Sequence, residues 1–229
     1  MPRPSTWTTL LCSAALLLGA ATQASAQDAS AKASANARVD ADWIVSKLAR
    51  PAPMRTSFVE VRTSRLLKSP LRLGGEYLRP DNRTLVRQVR TPYVETTTIV
   101  STGKGPGQAT IERGGKKRTY SLARVPELAS LQSSFGALLS GDGATLQRDF
   151  RLQPSGTRAD WTMALLPRDA GVAARLKQIT LYGRGAELRC IETVPAKAGE
   201  VQRTLLATAA RSAGAQVDAD ALAALCRGG

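Results

Sequence analysis

No histidine occurs anywhere in the 229 residues. Ser-His-Asp and Cys-His catalysis both need an imidazole that moves a proton near neutral pH, and a histidine-ligated metal needs the same ring. These classes are excluded together. Cysteine is scarce too, with Cys12, Cys190 and Cys226 and no CxxC pair, so no thiolate zinc site or thioredoxin-type motif can be assembled. Aromatics are 4% of the chain. Single-stranded nucleic acid is held by stacking on aromatic side chains, and the arginine-rich stretch from 56 to 122 offers only Phe58, Tyr77, Tyr93 and Tyr120. Nucleic acid is therefore not an expected partner. Acidic residues are also short, 18 against 32 Lys+Arg, which leaves a formal net charge of +14. Such a surplus attracts polyanions and anionic membrane surfaces in general.

What is present begins with a leader. Arg3 is followed by an apolar run from Leu10 to Ala21, then Ala24-Ser25-Ala26 before Gln27. A short apolar run ending in Ala-x-Ala is the pattern of a Sec signal peptide, cleaved after Ala26; a membrane anchor needs about 20 apolar residues. Cys12 leaves with the leader, and the mature chain is expected in an exported compartment. No second apolar span follows. In an oxidising compartment the remaining pair, Cys190 and Cys226, is the right number for one disulfide, with two buried thiols as the alternative. Residues 27–37, QDASAKASANA, are small, polar and aperiodic and read as a disordered leader. Residues 38–229 read as a single domain.

Within that domain Val39, Trp43, Ile44 and Leu48 recur at helical spacing before Pro51 and Pro53, which predicts a helix over 39–49. Strand-like runs then follow at 56–64, 71–79, 84–90, 93–101, 108–113 and 116–122. Turn residues separate them: Ser69-Pro70, Pro80-Asp81-Asn82, Thr91-Pro92, Gly103 to Gly107 and Gly114-Gly115. Connections so short force neighbouring strands antiparallel. Pro126 opens a predicted helix over 126–139, closed by Gly141. Strands resume at 145–153, 159–166, 177–182, 186–194 and 200–208, and Asp218 is placed to cap a last short helix ending at Cys226. The fold class is mainly β (α+β): a curved antiparallel sheet of about eleven strands forming an incomplete barrel, lidded by helices.

Other features offer less. Gly103-Lys104-Gly105-Pro106-Gly107 lacks the GK[ST] of a phosphate loop and reads as a hairpin loop. Asp149, Asp160, Glu187 and Glu192 are the carboxylates on or beside strands that a glycosidase-like hydrolase could use, but none stands in a motif. The arginines from Arg62 to Arg118 read mainly as the outer charges of antiparallel strands, Arg72, Arg83 and Arg87 among them.

A helix with Trp43 and Leu48, Phe58 opening a strand, the run Gly74-Gly75-Glu76-Tyr77-Leu78-Arg79-Pro80, then Thr91-Pro92-Tyr93 and Asp160-Trp161-Thr162-Met163-Ala164-Leu165 before Pro167-Arg168-Asp169 together resemble the LolA family of periplasmic outer-membrane lipoprotein carriers. The resemblance covers residues 38 to 208. It implies an incomplete barrel lidded by helices, whose apolar cavity receives acyl chains, and a protein that is neither an enzyme nor in need of a cofactor or metal. It also implies that Arg79, the arginine before the proline, bonds to lid elements and governs opening. Leu71, Leu73, Tyr77, Leu78, Leu85, Val89, Ile99, Trp161, Met163 and Leu165 are the acyl-cavity candidates, with Ile111, Ile179 and Leu188 as further aliphatic lining. The implied partners are an acylated cargo (a lipoprotein, or another acylated lipid or polyene), an inner-membrane exporter and an outer-membrane acceptor, served by a monomer. An envelope-stress sensor or lipid-binding regulatory module with the same fold is the alternative.

Overall fold

The structure is a computed structural model and describes residues 34–62, 68–102, 105–124, 136–197, 201–214 and 217–228. The expected signal peptide, most of the polar leader, Gly103-Lys104 and residues 126–135 of the expected second helix lie outside the described residues. Eleven strands form one antiparallel sheet: β1 (Met54–Arg62), β2 (Leu71–Arg79), β3 (Thr84–Thr91), β4 (Glu95–Thr102), β5 (Gly105–Arg113), β6 (Lys116–Ser121), β7 (Phe150–Gly156), β8 (Trp161–Pro167), β9 (Leu176–Arg184), β10 (Glu187–Pro195) and β11 (Gln202–Leu206). Their spatial order is β6-β5-β4-β3-β2-β1-β11-β10-β9-β8-β7. Two meanders, β1 to β6 and β7 to β11, are thus joined where β11 pairs with β1, at Phe58 opposite Leu206. Strands β6 and β7 are the free edges, so the barrel is incomplete.

Strand pairing puts alternate residues on opposite faces. Phe58, Leu73, Val89, Ile191, Leu181, Met163, Leu165 and Phe150 share one core with Ile44, Val45 and Leu48 of α1 (Ala41–Leu48). We call this the inner face. Asp40 caps α1 by accepting from the Trp43 amide at 2.7 Å, and the three buried aliphatics each contribute about 2 kcal/mol by leaving water. Trp161 fills the inner face above Gly183, where an added Cβ would stand 2.1 Å from the indole Cζ2. Only glycine fits there. The indole N–H donates to the Gly185 carbonyl at 2.9 Å, so the ring is buried without an orphan donor.

The outer face carries a second core of Val59, Val61, Cys190 and Leu205 under α4 (Ala207–Ser212) and α5 (Ala219–Cys226). Asp218 caps α5 as expected, accepting from the Ala221 amide. Cys190 and Cys226 are disulfide-bonded, with Cα atoms 5.1 Å apart and a sequence separation of 36. On the chain-entropy model that closure contributes about 4 kcal/mol. Cys226→Ser is therefore expected to lower Tm by roughly 10 °C, read by calorimetry against the parent; an unchanged Tm sinks the idea that the clamp stabilises the fold.

The sequence misassigned three places. Residues 145–153 were expected as strand, yet α2 (Gly143–Asp149) occupies most of that span and β7 begins only at Phe150. Asp142 accepts from the Thr145 amide and hydroxyl, and Leu146, four residues before Phe150, is fully buried, so capping and i,i+4 burial override the strand-like composition. The strand expected at 200–208 stops at Leu206, because the chain turns at Ala207 (φ 47°) into α4, whose small Ala209 and Ala210 bury against the sheet. The end of the leader is ordered, since residues 34–36 form a helical turn, and the Ala35 and Ala37 carbonyls accept from the Ala159 and Arg158 amides. A short helix, α3 (Ala170–Ala173), and a 3-10 turn at Leu122–Arg124 went unread.

Candidate functional site: an apolar inner face with an arginine latch

At the N-terminal end of β1 and the C-terminal end of β2, Met54 pairs with Arg79. Arg79 is 4% exposed. Its guanidinium donates to the Arg50 carbonyl at 2.7 Å, to the Leu139 carbonyl at 3.4 Å and to Asn82 Oδ1 at 2.8 Å. Among the described residues these partners are all uncharged oxygens. Arg50 directly follows α1, and Leu139 belongs to the helical segment 136–140 that adds Ala137 and Leu138 to the inner core. The two covering segments also meet each other, the Arg50 amide donating to the Leu139 carbonyl at 2.9 Å. A single buried cation thus joins the sheet to the ends of both segments that cover it.

Arg50 extends the latch to the other wing. Its guanidinium caps α1 at the Lys47 carbonyl and reaches the Ala186 carbonyl between β9 and β10, each at 2.7 Å. The loop that presents Arg79 is fixed by Asp81, whose carboxylate accepts from the Arg83 and Thr84 amides and the Thr84 hydroxyl. Those bonds, the Arg83 amide first, hold Asp81 below the usual carboxylate range. Beside the latch, Arg79, Asn82, Arg83, Thr84, Leu85, Gly136 and Leu139 bound a cleft of about 240 Å³, solvent-open space included.

The expected cavity residues do not all share this face. Leu73, Val89, Trp161, Met163 and Leu165 are buried in the inner core, and Leu71 and Tyr77 pack against it. Leu85 is half-buried at the cleft. Ile99 sits in a small separate cluster with Ala109 and Leu122 under β4 and β5. Leu78 is a correction: it pairs with Arg55 and Val86, alternate to Tyr77, and therefore lies on the outer face, where it cannot line the same cavity. Of the further aliphatics, Ile179 and Leu188 join the inner core, and Ile111 lies in register with Thr97 on that side.

Arg87 is the second correction. It was read as surface charge, yet it lies on the inner face opposite Tyr77, largely buried, 3.2 Å from Glu60 and with its Cζ 4.6 Å from the Phe58 ring centroid. The signal was available in Leu85 and Val89, which bracket Arg87 at i±2 and share its face. Glu60 is fully buried and was missed altogether. It accepts from both Arg62 and Arg87. Burial holds the nearby Tyr77 phenol above its ordinary value, against the charge of Arg87.

The four carboxylates considered for hydrolysis do not converge. Glu192 pairs with Arg203 on the outer face, Asp160 lies 3.9 Å from Arg184, Glu187 accepts from the Thr208 amide and hydroxyl, and Asp149 ends α2.

The site is thus an open antiparallel sheet, apolar on one face and covered there by helical segments that Arg79 joins to the sheet. A family model of LolA-like outer membrane lipoprotein carrier proteins matches residues 32–229, and the chain belongs to that family. No curated protein matches it. Among solved structures it is similar to a LolA superfamily protein, NE2245, from Nitrosomonas europaea, at 13% identity over 74% of this chain and 92% of that one, with a TM-score of 0.37.

Proposed function

We propose that the protein is a periplasmic carrier that shields the acyl chains of a lipid-modified cargo, a lipoprotein or another acylated lipid or polyene, on its way from the inner to the outer membrane. The observation that supports this most is the latch: Arg79 holds closed the two segments whose apolar residues occupy the inner face. In the closed form Ile44, Val45, Leu48 and Leu138 cover that face. An acyl chain that displaces them regains about 0.8 kcal/mol for each methylene it buries. Loading and closure therefore compete for one surface, which lets a carrier both hold and release. The Ala-x-Ala leader supports export, and the basic composition suits transient contact with anionic membranes.

Native mass spectrometry of the protein, purified gently from its own cells, is expected to show a co-purified acylated molecule. Repeatedly empty protein that instead captures the periplasmic domain of a membrane protein overturns the carrier reading in favour of a sensor.

A further inference from the structure

At one end of the first meander the strand turns form a surface separate from the latch. Arg79 and the turn at Asp81 to Arg83 stand where β2 passes into β3, and the β3–β4 and β5–β6 turns stand at the opposite end of the strands. The 8 residues of β3 separate the two ends by about 23 Å at 3.3 Å per residue. Register joins the two turns, Glu95 pairing with Arg113 and Arg113 with Lys116. Arg113 also lies over the half-buried Tyr93, its Cζ 3.8 Å from the ring centroid, so the turn that carries Tyr93 and Val94 is held against the β5–β6 hairpin.

This end is exposed and cationic. Every residue from Glu112 to Tyr120 is exposed, so the hairpin stands clear of the fold. It carries Arg113, Lys116, Lys117 and Arg118, and Arg90 lies exposed near the end of β3. Glu112, 3.0 Å from Lys117, is the one exposed acid among the described residues of these two turns. The other carboxylates are recessed. Glu76 accepts from Arg90 at 2.6 Å, and Glu95 stands 3.7 Å from Arg113 and 4.0 Å from Arg87, their side chains 16% and 18% exposed. What solvent meets is cation. At the tip Gly114 and Gly115 have nothing within 4 Å of an added Cβ, which leaves bare backbone between the charges.

Val94 stands beside these charges. It is 74% exposed, the most exposed large apolar side chain among the described residues, and it follows the exposed Pro92 by two positions. A second copy of this chain does not suit the surface, because β6 is a free edge whose lysines and arginine would meet their own kind. An anionic bilayer meets both demands: its phosphates attract the cations, and an apolar tip gains by entering the boundary between head groups and acyl chains.

We propose that the β3–β4 and β5–β6 turns, with Val94 at the tip and Lys116, Lys117 and Arg118 beside it, are a docking surface for an anionic lipid bilayer. A protein docked by this end keeps the Arg79 latch and its cleft at the end away from the lipid. The assignment does not rest on the acyl-carrier reading, since a bilayer without cargo suffices.

Flotation of the mature chain with vesicles of phosphatidylcholine, alone or mixed with phosphatidylglycerol, tests it. The mixed vesicles are expected to bind about tenfold more tightly or better, with the difference shrinking at high salt. Lys116→Gln/Lys117→Gln should lose about tenfold of that affinity, whereas Arg211→Gln/Arg227→Gln, which removes the same charge from exposed positions in α4 and just after α5, should lose less than about twofold. An environment-sensitive dye on Val94→Cys should shift to the blue on the mixed vesicles. Equal loss in the two double variants, or a dye at position 94 that stays in water while the protein binds, overturns the surface, because net charge alone then does the binding. A parent that binds neither vesicle also overturns it and turns these cations towards an acidic protein. Every substituted side chain is exposed, which keeps the variants folded. None of these outcomes touches acyl carriage, which mass spectrometry of the native protein decides separately.

Discussion

Replacing Arg79 with leucine is expected to raise the open population of the helical cover by about 30- to 150-fold while leaving the unfolding midpoint nearly unchanged. Hydrogen bonds from a charged donor contribute about 1.5 to 3 kcal/mol each, and a net loss of about 2 to 3 kcal/mol in closure corresponds to that factor. Two of the three acceptors, the Arg50 and Leu139 carbonyls, lie on the cover, so the loss falls on docking rather than on the sheet. The unfolding midpoint is spared for a separate reason. Arg79 is a buried cation facing only neutral oxygens among the described residues, and leucine removes its desolvation cost while keeping an apolar stem. Hydrogen exchange distinguishes the outcomes. Amides of Ile44–Leu48 and of 136–140 should exchange faster, and those of β1 and β2 at their old rate. Uniform acceleration across the sheet would show that Arg79 is merely structural. Arg79→Lys keeps the charge but loses the fork and should fall between the two.

Arg79 was legible as the residue to test because the run Gly74 to Pro80 is local and carries the family resemblance without knowledge of the partner strands; its role in opening is what that resemblance implies. The strand count was legible for the same reason, since Pro80-Asp81-Asn82, Gly114-Gly115 and Gly183-Arg184-Gly185 mark turns by their own chemistry. Face assignment was not. Leu78 and Arg87 were both misplaced, since a period of two fixes which residues share a face but not which face is inner. That phase is set by pairing across the sheet, Tyr77 with Arg87 and Phe58 with Gly75. Gly75 shows how tight the pairing is: an added Cβ would stand 1.9 Å from the Gln88 carbonyl, at a register shift between β2 and β3. Composition also misled at residues 143–149, where Asp142 supplied a helix start that a strand-minded count passed over. Glu60 stayed hidden because an acidic residue on a β1 of alternating polarity looks solvated until Arg87, 27 residues later, is folded over it.

Glu60→Gln should be the most damaging conservative substitution in the sheet. The amide keeps the shape but removes the charge that Arg62 and Arg87 share, leaving two cations facing each other at a fully buried position. Breaking a buried ion pair from one side costs about 3 to 5 kcal/mol, a fall of roughly 10 °C in Tm for a chain of this size, measurable by calorimetry. A loss under about 1 kcal/mol would mean that water or a rearranged Glu95 already compensates. Glu60→Leu/Arg87→Met discriminates further. Replacing both members of a buried pair by apolar side chains of similar volume is often neutral or stabilising, so the double variant should recover most of the loss, and the difference from the single variants measures the coupling. Recovery of that kind makes the native pair dispensable for folding.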